Sequence, residues 1–109
     1  IAEVAIASKK GAIVYEDKIV IPDEIDAVCQ HFKIDPLISI SEGTLVIAAA
    51  PDKTARLINE LKKNGIDAWD IGEITAKEMT FVRKNGKKEE LSPVKVDPFW
   101  AAYFSTLQG

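Results

Sequence analysis

The sequence holds one cysteine and one histidine, and that scarcity excludes several classes at once. Cys29 has no partner for an internal disulfide, which fits a reducing, cytoplasmic setting. One cysteine and one histidine do not make up a typical zinc site, so no metal is expected on this chain. The six glycines are scattered at turns, and none builds a phosphate-cradling loop. No apolar run approaches the roughly 18 residues of a membrane span, so no membrane partner is expected. Positive charge is also short. The formal net charge is −3, and nucleic-acid binding would need a basic stripe. Arg83, Lys84, Lys87 and Lys88 do cluster, but they flank Asn85-Gly86 and read as a solvated hairpin tip. Finally, the chain opens on Ile1 rather than methionine. In "IAEVAIASKKG", Ile1, Val4 and Ala5 fall at helical spacing and Gly11 lies where a helix would stop. The opening reads as the last turns of a helix, and the chain as a fragment of a longer protein.

What is present suits a globular fold. With 109 residues, 47% hydrophobic and 28% charged, residues 1–109 are expected to form a single domain. "AIVYEDKIVI" reads as one or two short extended pieces. A helix follows from Pro22, its buried face carrying Ile25, Val28, Cys29 and Phe32. "TLVIAAA" reads as a strand running into a second helix, from Pro51 to about Asn64. Ala55, Ile58 and Leu61 share a face of that helix, and Gly65 supplies a left-handed stop. "IDAWDIGEIT" reads as a strand, and "MTFVRKNGKKEEL" as a hairpin with a type I′ turn at Asn85-Gly86. "DPFWAAYFSTL" is a short aromatic helix capped by Asp97, with Pro98 in its first turn. The expected class is α+β: a layered domain with a mixed sheet packed by helices, partly ferredoxin-like.

Candidate chemistry is thin. His31 reads as a surface residue and Cys29 as an inert core thiol. The residue to weigh is Glu42, in "SEGTLVIAAAP". It reads either as a loop carboxylate that accepts backbone N–H bonds or as a general base at the edge of a cleft. Gly43 beside it would let another backbone or a ligand come close.

Four stretches, in order, carry a resemblance to a known family. They are Ile21-Pro22-Asp23-Glu24, Lys33-Ile34-Asp35-Pro36-Leu37, Ser41-Glu42-Gly43-Thr44-Leu45 and Ile71-Gly72-Glu73-Ile74-Thr75. Together they resemble the C-terminal domain of the aminoimidazole ribonucleotide synthase superfamily, most closely its hydrogenase expression/formation branch, a carbamoyl dehydratase. The resemblance implies the C-terminal half of a two-domain, ATP-dependent enzyme that activates an amide-like oxygen by phosphorylation. It implies an N-terminal domain of the same chain that binds ATP and magnesium and forms a homodimer, with neither cofactor expected on this fragment alone. It places Glu42 as a catalytic residue and Gly43 in the nucleotide cleft. The branch carries its substrate group on a C-terminal cysteine. This chain has no cysteine after Cys29, so either the sequence stops short of that tail or the parent is a paralogue with a freely diffusing substrate, the latter being the expectation. Two alternatives stand beside this reading. One is the matching domain of selenophosphate synthetase or thiamine-monophosphate kinase. The other is a stand-alone ferredoxin-like module that binds a small ligand.

Overall fold

A computed structural model of the chain describes residues 1–108. Among them are the helices α1 (Ala2–Ala7), α2 (Asp23–Phe32), α3 (Pro51–Lys63) and α4 (Pro98–Leu107). The strands are β1 (Gly11–Tyr15), β2 (Gly72–Thr75), β3 (Met79–Val82) and β4 (Lys88–Glu90). The class is α+β, as the order of patterns implied. The chain divides into two compact units: Ile1–Val20 with Val46–Ser92, and Ile21–Leu45 with Pro93–Gly109.

The first unit contains one mixed sheet in the order β2-β1-β3-β4. β1 runs antiparallel to β2, with Gly11 opposite Thr75, and parallel to β3, with Ala12 opposite Met79. The short link from β2 to β3 therefore has to cross the beginning of β1. Gly11 makes the crossing possible. A Cβ there would collide with the carbonyl oxygen of Glu78 and the hydroxyl of Thr75. The same hydroxyl donates to the Glu78 carbonyl at 2.9 Å and closes the link. Ala12 and Val14 alternate along β1 and are buried with Ala2 of α1, which packs on that strand.

Three helices end alike. The amide after the last turn bonds three residues back, and the next amide reaches five back: Lys9→Ile6 and Lys10→Ala5, Lys33→Gln30 and Ile34→Cys29, Gly65→Lys62 and Ile66→Leu61. This is the Schellman closure, which needs a left-handed residue at its centre. Lys9, Lys33 and Gly65 take that role with φ of 54°, 55° and 74°. Gly65 is the stop its sequence implied. Gly11 is not a helix stop; the first helix has already ended at Lys9, and Gly11 starts the strand.

Several expectations need correction. Residues 45–50 form no strand, and 66–71 are irregular, so the strand there is only Gly72–Thr75. The α2 stripe is not buried: Ile25, Val28 and Phe32 are about half exposed and Cys29 is half-buried. On α3 the half-buried stripe is Thr54, Leu57, Ile58 and Leu61, with Ala55 exposed. The β3–β4 hairpin exists, but its turn is not type I′. The Gly86 amide bonds the Arg83 carbonyl at 2.8 Å, and the Arg83 amide bonds the Lys87 carbonyl at 2.8 Å. Only Gly86 has positive φ, 82°. A type I turn followed by a left-handed glycine gives this geometry. Asn85 stays in ordinary backbone space, and its side chain accepts the Lys87 amide at 2.9 Å.

The crossing over β1 yields a direct test. Gly11→Ala places a methyl group against backbone that has nowhere to move, so stability should fall by about 1–3 kcal/mol or more, as for overpacked sites. Urea denaturation of the two proteins measures it, and an unchanged midpoint would show that the link does not rest on Gly11.

Candidate functional site

The Glu42 loop lies in the second unit and is reached through Asp35 and Asp97. Asp35 organises the turn after α2: its carboxylate accepts the Leu37 amide at 2.9 Å, and its carbonyl accepts the Ser39 hydroxyl at 2.8 Å. Asp97 then acts twice. Its Oδ1 accepts the Phe99 amide at 2.7 Å, capping α4, and its Oδ2 accepts the Ile40 amide at 2.7 Å. Sequence reasoning identified the cap but missed the second bond, because residues 40 and 97 are far apart in the chain. The signal was present only as a capping aspartate, which has one oxygen to spare.

Past this anchor the chain emerges into solvent. The Ser41 and Thr44 hydroxyls lie 2.7 Å apart and brace the loop. Between them Glu42 is exposed, and its carboxylate meets no partner among the described residues. Gly43 is also exposed, and a side chain built on it would enter open space. The loop thus presents a free carboxylate beside an unobstructed backbone, anchored two residues upstream.

Near the start of α4 the same unit has an apolar groove of about 380 Å³, bounded by Cys29, Ile34, Ile40, Phe99 and Trp100. His31 is exposed at the end of α2, its ring edge-on to Phe32 at 4.9 Å.

The first unit has a charged cluster of a different kind. Arg83 Nε donates to Glu89 Oε2 at 2.8 Å, and its Nη1 lies 3.8 Å from Glu16 Oε1. Lys87 Nζ lies 3.4 Å from the other Glu89 oxygen, and the Lys84 amide donates to Glu16 at 2.9 Å. The Arg83 hydrogen bond holds the Glu89 carboxyl below its usual range. Each carboxylate here is already matched by a cation or an amide, so the cluster fastens the hairpin tip to the turn after β1 and offers no free acid or base. Nearby, Tyr15 donates to Glu73 at 3.0 Å, and that bond pushes the phenol up.

The described residues thus form an α+β fold, with a mixed sheet in the first unit and an accessible Glu-Gly loop in the second. The family described as AIR synthase related protein, C-terminal domain, matches residues 1–85, and the chain belongs to it. A Methanocaldococcus jannaschii protein provisionally named a hydrogenase expression/formation protein is 35% identical over 75 residues, which is 67% of this chain. The chain spans 22% of that relative's length. Among the described residues no helix is long and apolar enough to cross a membrane.

Two outcomes follow from this geometry. Asp97→Ala removes the α4 cap together with the Ile40 anchor, so it should cost about 1–2 kcal/mol in denaturation and speed hydrogen exchange at the Ile40 amide. Normal Ile40 protection would show that the anchor lies elsewhere. Glu89 has a depressed pKa when folded, so its contribution is present above the ordinary carboxyl value of 4.5 and is lost as pH falls through the lower folded value. The loss of stability on acidification below pH 4.5 should therefore be shallower in Glu89→Gln than in the parent chain; equal slopes would rule this contribution out.

Proposed function

We propose that this chain is the C-terminal domain of an ATP-dependent enzyme that activates an amide-like oxygen by phosphorylation, in hydrogenase maturation or a related AIR synthase-type reaction. The observation that carries the reading is the family match along residues 1–85. The named relative supports it, as does the placement of Glu42 on an anchored, open loop. In this reading Glu42 is a general base or hydrogen-bond acceptor at the cleft edge, and Gly43 leaves room for the nucleotide or substrate to come close.

In this reading magnesium and the main contacts to ATP are not assigned to this chain. Among the described residues no group of three or more His, Cys, Asp or Glu side chains converges as a metal site. The cofactor would instead be held by an N-terminal domain of the same polypeptide, over which this domain completes the cleft. The parent is proposed to act in the cytoplasm as a homodimer, and the fragment alone is proposed to be inactive.

Glu42→Gln in the full-length parent tests the reading, because it keeps the shape and removes the charge. Turnover should fall by about 100-fold or more, in line with general-base contributions, while the melting temperature stays unchanged. Normal turnover with a lowered melting temperature would assign Glu42 to the structure of the loop.

A further inference from the structure

Asn-Gly occurs twice in the chain, at Asn64-Gly65 and Asn85-Gly86, each time with a lysine in front. Asparagine is a labile residue, and a following glycine has no side chain to shield the backbone nitrogen that attacks it. All four residues are exposed. Both glycine amides are engaged alike: Gly65 donates to the Lys62 carbonyl at 3.0 Å, and Gly86 to the Arg83 carbonyl at 2.8 Å. The asparagine side chains differ. Asn64 Nδ2 donates to the Glu60 carbonyl at 2.8 Å, so its amide group is folded back over the last turn of α3, away from Gly65. Asn85 Oδ1 accepts the Lys87 amide at 2.9 Å, so its amide group is folded forward over the Gly86 peptide.

We propose that Asn85 is a self-modification site, converting to aspartate and isoaspartate through a cyclic imide, and that the fold protects Asn64 from the same reaction. A solvent base removes the Gly86 amide proton, and the nitrogen attacks Asn85 Cγ. The N–Cγ bond forms, the Cγ–Nδ2 bond breaks, and ammonia leaves with a proton taken from water. A water molecule then opens the imide at either carbonyl. Attack at Cγ gives aspartate, and attack at the main-chain carbonyl gives isoaspartate. One water is consumed and one ammonia released, with no redox step.

Two features make Asn85 the faster site. The Lys87 N–H already points at Oδ1, where negative charge develops as Cγ becomes tetrahedral, and a donor placed in advance lowers that barrier. The surroundings act in the same direction. Asn85 shares a surface cavity with Arg83, Lys84 and Lys87, against the two carboxylates of Glu16 and Glu89, and nearby positive charge favours the deprotonated nitrogen. Asn64 has the opposite setting. It ends α3, where the helix dipole disfavours negative charge, and Lys63 beside it is paired with Glu60 at 2.9 Å. The product also changes the hairpin. Isoaspartate inserts a methylene into the backbone between Arg83 and Lys87, whose amide-to-carbonyl closure at 2.8 Å then no longer fits. The Lys84 amide, which donates to Glu16 at 2.9 Å, lies in the same turn and is released with it.

The test holds the folded chain in mildly alkaline buffer at physiological temperature and samples it over days. Peptide mapping by mass spectrometry locates each new acid, and electron-transfer fragmentation tells isoaspartate from aspartate. Conversion should run several-fold faster at Asn85 than at Asn64. In strong denaturant both sites reduce to the same Lys-Asn-Gly sequence, and the two rates should converge. Asn85 persisting unchanged, or Asn64 converting as fast in the folded chain, would overturn the proposal. A rate ratio that survives denaturation would overturn it too, since the preference would then belong to the neighbouring residues and not to the fold. The isoaspartate form, separated by its extra negative charge, should exchange the Lys84 amide hydrogen faster than the parent chain. Equal exchange would overturn the predicted release of the hairpin tip from Glu16.

Discussion

The backbone leaving β2 must pass over the beginning of β1 before it can enter β3, and the room for that passage is the side chain Gly11 does not have. The strand order follows from this one clearance. β1 ends up between two strands that are close neighbours in sequence, although 56 residues lie between its own end and β2. Once β1 is central, Ala12 and Val14 face α1 and are buried with Ala2. The Thr75 hydroxyl, bonded to the Glu78 carbonyl, then holds the link in its tight path.

Polar contacts carry an unusual share of the remaining organisation. Ala2, Ala12 and Val14 are the buried hydrophobic residues among those described, while many large apolar side chains stay half exposed. The hairpin is fastened through Arg83, Glu16 and Glu89, and the Glu42 loop through the two oxygens of Asp97. Charge pairs this exposed are individually weak. They set geometry more than they supply stability, and much of the apolar surface is left for other contacts.

What could be read from the sequence was what is decided locally. The start of α4 was legible because Asp97 and Pro98 act within one turn, and α3 because Pro51 opens it and Gly65 closes it. The hairpin was legible as a hairpin, but not its turn, since Asn-Gly serves two loop lengths and the choice lies in the Arg83–Lys87 closure. The end of α1 was missed because a lysine, not a glycine, adopts the left-handed conformation. Burial of the α2 stripe was inferred from spacing, but spacing gives only a shared face and says nothing of what covers it. The position of Glu42 was legible as a loop beside a glycine, but its anchoring by Asp97 joins residues 57 positions apart, and no local pattern reports that.

The unpaired stretch at residues 45–50 bears on how the chain behaves when concentrated. Leu45, Val46 and Ile47 are 81%, 56% and 49% exposed, and no charge or proline interrupts the six residues. Short segments of this kind are the ones that stack into intermolecular cross-β ribbons. The flanks resist it: Pro51 cannot extend a ladder, Asp52 adds charge on the same side, and Glu42 adds charge on the other. The glutamate proposed as a base thus also stands as a gatekeeper against fibril growth, and removing its charge weakens the protection on that side.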